Sequence, residues 1–139
     1  MPQQITKGIK QLCHEANAQV ETLTIEDAIK LHGRDDVVLV DIRDPRELER
    51  DGQVPGAFHC TRGMLEFWID PASPYAKPKF QEDKKFVFFC AGGLRSALAA
   101  KTAKDMGLKP VAHIEGGYGA WKKAGGPTEA WAPKAKKAG

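Results

Sequence analysis

Two stretches of the chain are apolar without interruption. Val37-Val38-Leu39-Val40 ends at Asp41, and Phe86-Val87-Phe88-Phe89 follows Lys85 and ends at Cys90. Runs this short, rich in β-branched and aromatic residues, predict strands buried on both faces, as in a parallel sheet. Glu21 to Thr24, Ala57 to Cys60 and Val111 to Ile114 predict three shorter strands. Helical patterns lie between them. Gly8 to Ala18 predicts an N-terminal helix outside the main alternation. Thr24 reads as the cap of a helix whose stripe is Ile25, Ala28, Ile29 and Leu31, with Gly33 as its stop. Pro45 opens a short charged helix to Arg50, and Met64 to Ile69 predicts a helical turn or two. Pro71, Pro74 and Pro78 mark an irregular loop. Ser96 to Met106 is a helix with Ala97, Leu98, Ala100, Ala103 and Met106 apolar, and Tyr118 to Ala124 is the last. This alternation predicts a three-layer α/β/α fold around a mostly parallel sheet of about five strands. Ligands of such sheets bind beyond the carboxyl ends of the strands. Asp41, Cys60 and Cys90 all fall at predicted strand ends, so one rim can hold them.

Composition changes this picture little. The chain has 139 residues, 42% hydrophobic and 28% charged, which suits one soluble domain. Three segments are expected: a helical extension at 1–20, the α/β domain at 21–128 and a basic tail at 129–139. The net charge of +3 is small, and part of it lies in Pro133 to Gly139. That block reads as a solubilising end, so no nucleic-acid partner is expected. No apolar run approaches the ~20 residues of a membrane span. The N-terminus, M-P-Q-Q-I-T-K-G-I-K, lacks the apolar core of a secretory signal, and a cytoplasmic location is the default expectation.

The three cysteines, Cys13, Cys60 and Cys90, are irregularly spaced and suggest no disulfide framework. There is no C-x-x-C. His14 and His59 each adjoin a cysteine, but adjacent side chains diverge and make a poor tetrahedral zinc site. No metal or organic cofactor is expected.

Cys90 stands apart because A-G-G-L-R-S follows it. Ala91, Gly92, Gly93, Leu94 and Arg95 can curl so that backbone N–H groups point inward, since glycine permits positive φ. Those N–H groups, the following helix and Arg95 would favour the thiolate, the nucleophilic form. The alternative is a buried structural cysteine with glycines that allow close packing. A phosphate-binding P-loop is excluded by the missing G-K-[ST], and a dinucleotide fingerprint by the missing third glycine.

In this setting the segment resembles the active-site loop of rhodanese-like domains, a sulfurtransferase family. V-V-L-V-D-I-R-D-P-R-E-L (Val37 to Leu48) resembles the family's strand-and-turn signature. G-Q-V-P-G-A (Gly52 to Ala57) is similar to its G-H-I-P-G-A segment, with Gln53 in place of histidine. G-G-Y-G-A-W (Gly116 to Trp121) resembles its closing motif. The likeness runs from about Thr22 to Thr128. It implies that Cys90 takes sulfur from thiosulfate or a persulfide donor. The resulting persulfide would pass it to a thiophilic acceptor: cyanide, a small thiol or a protein cysteine. It implies a cradle of Ala91, Gly92, Gly93, Leu94, Arg95 and Ser96. Arg95 would attract an anionic donor, and Ser96 would cap the next helix and offer a hydroxyl to the site.

Two rivals follow from the same likeness. Phosphatases and arsenate reductases of this fold use a C-x5-R loop, one residue longer than the interval from Cys90 to Arg95. Other members act as sulfur carriers or regulatory binding modules. Among secondary residues, Arg62 is a candidate for binding a sulfite or sulfonate group, or else pairs with a carboxylate. Phe67 and Trp68 wall a pocket or belong to the core. Asp41 and Arg43 are expected to tie the strand end through ion pairs, with Glu47 as a partner for Arg43. Trp121 is expected in the core and Trp131 half exposed. Cys60 reads as a buried thiol, with a resolving role toward Cys90 as the alternative. Ile5, Ile9 and Leu12 let the N-terminal helix dock on its own domain or on a second copy, which leaves a homodimer open.

Overall fold

Strands form where the apolar runs lie. The computed structural model describes residues 2–132. Its strands are β1 (Glu21–Leu23), β2 (Val37–Asp41), β3 (Phe58–His59), β4 (Lys85–Phe89) and β5 (Val111–Ile114). They form one sheet in the order β1-β5-β4-β2-β3, and every pair is parallel. The most apolar run, β4, takes the centre, where a strand must be covered on both faces.

The helices are α1 (Ile9–Gln19), α2 (Ile25–Lys30), α3 (Pro45–Asp51), α4 (Leu65–Ile69), α5 (Leu94–Asp105) and α6 (Gly117–Lys123). Alternate residues of each strand feed two cores. Val38, Val40, Phe86, Phe88 and Cys90 pack with Leu65 and Ile69 of α4 and with Ala99, Ala100 and Ala103 of α5. Leu39, Val87, Phe89, Ala112 and Ile114 pack on the other face with Ala28 of α2 and with Tyr118 and Trp121 of α6. This is the expected three-layer arrangement. Among the described residues, no helix is long and apolar enough to cross a membrane.

Two boundaries differ from the sequence reading. The helix after Cys90 begins at Leu94, because Gly93 adopts a left-handed φ of 99° and turns the chain into it. Ser96 is therefore inside the first turn, not at the cap. The tail does not begin at 129: Glu129 pairs with Gln53 through two backbone hydrogen bonds and a side-chain bond of 2.6 Å. Residues 133–139, the basic block, lie outside the described residues. The N-terminal helix docks on its own domain. It buries Cys13 and Ala16 against α5, with the Cys13 thiol 3.7 Å from the Leu94 carbonyl, and leaves Ile5, Ile9 and Leu12 exposed.

The end of β2 is fixed by a buried ion pair. Arg43 donates from Nε and Nη2 to the carboxylate of Asp41 at 2.8–3.2 Å, and from Nη2 to the Gly52 carbonyl at 2.9 Å. Its guanidinium lies 4.1 Å over the Tyr118 ring. Both side chains are 1% exposed. Glu47 is not the partner of Arg43; Asp41, two residues away, reaches it first. Removing one member of such a pair leaves a buried, uncompensated charge. Arg43→Ala is expected to lower stability by about 3–5 kcal/mol, read as a fall in the urea midpoint. A loss below about 1 kcal/mol, the worth of a surface pair, would show that water reaches Asp41.

Candidate active site

Cys90 follows directly on the central strand and is 1% exposed. Two hydrogen bonds from the start of α6 hold the loop behind it. Tyr118 N–H donates to the Cys90 carbonyl at 2.7 Å, and Gly119 N–H donates to the Ala91 carbonyl at 3.0 Å. With these carbonyls turned toward α6, the Gly93 N–H faces the sulfur and donates to Sγ at 3.1 Å. The approach of α6 requires Gly117. Its φ is +60°, and a Cβ there would collide with the carbonyl oxygen of Cys90 and lie 2.8 Å from the carbonyl group of Ala91.

Of the predicted cradle, Gly93 and Ser96 touch the sulfur directly. Ala91, Gly92 and Leu94 form the exposed outer edge of the loop. Ser96 is fully buried, with Oγ 3.6 Å from Cys90 Sγ. Behind it, His113 of β5 places Nδ1 3.1 Å from Ser96 Oγ. The other ring nitrogen, Nε2, lies 2.7 Å from Oδ1 of Asn17 on α1 and 3.2 Å from Oγ1 of Thr22 on β1. His113 is 3% exposed, and burial lowers its pKa from the ordinary histidine value. Neither His113 nor Asn17 was among the sequence-based candidates. A histidine within the otherwise apolar strand V-A-H-I was a usable signal; Asn17 carried none.

Arg95 forms a two-pronged ion pair with Glu47 of α3, at 2.7 and 2.9 Å. The bonds from Arg95 hold the Glu47 carboxyl below its ordinary range. Glu47 also raises Arg95, with Cys90 as a smaller contributor through charge and hydrogen bonding. The guanidinium is 43% exposed. It is positioned by a carboxylate at the mouth of the site rather than free.

The remaining candidates lie elsewhere. Arg62 pairs with Glu66 at 2.8 Å and reaches Thr102 at 3.4 Å, so its guanidinium is engaged by α4 and α5 rather than by the Cys90 loop. Phe67 is exposed beside Tyr75, while Trp68 packs on Phe58 under Lys77. Trp121 is buried and Trp131 is half-buried against His59. Cys60 is fully buried beyond β3, and β2 separates β3 from β4. Two strand spacings amount to about 10 Å, beyond the roughly 7 Å limit for a disulfide between Cα atoms. A cleft of about 450 Å³ lined by Leu31, His32, Val37, Pro55 and Phe58 opens at the amino end of the sheet, away from Cys90. Cys90 lies at the carboxyl end, where ligands of parallel sheets bind.

The model of the rhodanese-like domain matches residues 24–124. The chain belongs to that family. Among curated relatives, the Bacillus subtilis protein named putative sulfurtransferase YtwF is 28% identical over 104 residues, covering 75% of this chain and 89% of its own. Among solved structures, a Rhodopseudomonas palustris protein of unknown function, "Possible Tyrosine Phosphatase", is 77% identical with a TM-score of 0.91. It covers 93% of this chain and 99% of its own. A single-domain sulfurtransferase of Saccharomyces cerevisiae is 26% identical with a TM-score of 0.61, covering 77% and 92%. The rhodanese-like signatures identified in the sequence therefore fall within a true family match.

Burial raises the Cys60 thiol to about 12, opposed only in part by Arg62. At pH 8 its thiolate fraction is on the order of one in ten thousand. Native protein treated with iodoacetamide at pH 8 is expected to leave Cys60 unmodified by peptide mapping, with modification only after denaturation. Native labelling at Cys60 would show that β3 opens readily.

Proposed function

We propose that this rhodanese-like domain is a sulfurtransferase that carries sulfane sulfur as a persulfide on Cys90. The observation that carries the reading is the setting of the sulfur: the Gly93 N–H at 3.1 Å and the Ser96 hydroxyl at 3.6 Å, at the end of the central strand. Both groups can donate to an anion. With thiosulfate as donor, the Cys90 thiolate attacks the outer sulfur. The new S–S bond forms as the bond to the sulfonate sulfur breaks, and sulfite leaves with the electron pair. An acceptor such as cyanide or a thiolate then attacks the terminal sulfur of the persulfide. Cys90 departs as a thiolate. Splitting the transfer into two displacements is covalent catalysis, and donors fixed around the sulfur stabilise the charge that moves onto it. A persulfide donor follows the same course with a thiolate as leaving group.

Phosphoryl transfer fits less well. The loop from Cys90 to Arg95 is one residue shorter than a C-x5-R cradle. The arginine that would clamp a phosphate spends both prongs on Glu47. A nearly closed sulfur favours a slim terminal sulfur atom over a tetrahedral group. A sulfur-carrier role shares the same loaded state and differs only in its acceptor.

Intact mass measurement tests the reading. Reduced protein exposed to thiosulfate should gain one sulfur, about 32 Da, that cyanide or dithiothreitol removes. Cys90→Ser should gain nothing while keeping its fold. Loading of that variant sinks the assignment. Failure of the parent to load from both thiosulfate and cysteine persulfide would leave a binding module. Arg95→Ala is expected to weaken thiosulfate use more than persulfide use, in kcat/KM, because its charge, though paired with Glu47, lies beside the Cys90 loop that the doubly charged donor must approach. Equal losses would remove the steering role.

A further inference from the structure

Cys90, Ser96, His113 and Asn17 form one chain of polar contacts, at 3.6, 3.1 and 2.7 Å, that runs from the buried sulfur to the exposed Asn17. The ends of this chain are unlike: one is the reactive sulfur, and the other is a helix outside the matched family segment. We infer that His113 is the proton acceptor for Cys90, reached through the Ser96 hydroxyl and oriented by Asn17. This rests on Cys90 being the nucleophile of the proposed reaction.

Donor and acceptor matching along the chain carries the inference. Oδ1 of Asn17 only accepts, so Nε2 of His113 holds a proton. In the neutral ring Nδ1 is then a lone pair and accepts the Ser96 O–H. Ser96 Oγ in turn presents a lone pair to the Cys90 S–H. When Cys90 ionises, the sulfur needs a donor, and Ser96 can turn its proton to it only if Nδ1 donates to Ser96. One rearrangement meets every demand. The S–H bond breaks, with the pair kept by sulfur. That proton passes to Ser96 Oγ, and the proton of Ser96 passes to Nδ1. The products are thiolate and imidazolium; Nε2–H stays on Asn17 throughout. No net charge is created in the buried space, which a proton lost to water would require. Persulfide formation then starts from a thiolate already paired.

The groups packed around His113 suit this role. Asn17 comes from α1, Thr22 from β1 and Ser96 from α5, all neutral. Cys90, beyond Ser96, is the one titratable partner the chain of contacts reaches. Burial alone lowers the ring's pKa, with no contribution from a carboxylate or a cation among the described residues. No neighbouring charge therefore favours an imidazolium until the sulfur supplies both the proton and the balancing charge. The N-terminal helix acquires a role: it supplies the residue that sets the ring's tautomer.

The test reads ionisation of Cys90 in the full chain without any sulfur donor. The alkylation rate at Cys90, assigned by peptide mapping, is followed against pH. His113→Gln is expected to move the midpoint up by about one pH unit, a tenfold loss of rate at neutral pH. Asn17→Asp, which sets a carboxylate at Nε2, is expected to move it down, opposite to the effect of simple damage. Nitrogen NMR of the His113 ring should show imidazolium over the pH range in which Cys90 is ionised. In Cys90→Ser the ring should be neutral over the same range. A ring that stays neutral beside an ionised Cys90 overturns the inference, as do unmoved midpoints in both variants. If His113→Gln does not fold, Asn17→Asp and the ring spectrum decide. Because none of these readouts uses thiosulfate, shifted midpoints with no sulfur loading would uphold the relay and remove the sulfurtransferase reading instead.

Discussion

Arg43 carries a full positive charge where water does not reach, and the rim of the sheet is arranged around it. Asp41 from the same strand neutralises it, Gly52 accepts from it, and Tyr118 lies under it. His59 reaches its backbone carbonyl at 2.7 Å and so ties in β3. Gly52 lies just past α3, which bears Glu47; Tyr118 lies in the first turn of α6, which holds the Cys90 loop. One buried pair therefore sets the relative places of the two helices that govern the site. Its Nη1 has no hydrogen-bond acceptor among the described residues. A buried cation of this kind is costly unless its geometry is kept, so it specifies one arrangement of the rim.

The site proper is built from ordinary parts. A parallel sheet delivers the sulfur at a carboxyl edge. Carbonyls of the loop are occupied by α6, which leaves an N–H for the sulfur. The serine that follows Arg95 points inward because α5 starts two residues before it. None of these parts is unusual alone. Their convergence on one atom sets the surroundings of the Cys90 thiol.

Much of this was legible in the chain. Continuous apolar runs announced β2 and β4, because a strand covered on both faces has no polar side to interrupt it. The glycines after Cys90 and the Gly116-Gly117 pair marked turns whose backbone only glycine takes readily. Partner choice was not legible. Glu47 sits four residues from Arg43, and local spacing suggested that pair; instead α3 turns Glu47 toward Arg95, 48 residues on. Arg62 left two readings open in sequence, an oxyanion binder or a partner for a carboxylate, and the fold pairs it with Glu66. Asn17 and His113 lie 96 residues apart and meet only because β1 joins β5 at the sheet edge. Such contacts belong to tertiary packing, which periodicity does not encode.

Gly117 lies 27 residues from Cys90, yet its missing side chain leaves the room in which the loop is pulled tight. Competence of a rhodanese-like chain is thus written in two places. In a chain with the cysteine but a bulkier residue here, α6 and the Cys90 loop cannot keep this close approach. For protein engineering, the same position is a remote control: the sulfur's surroundings can be relaxed by a change that leaves every residue of the loop itself untouched.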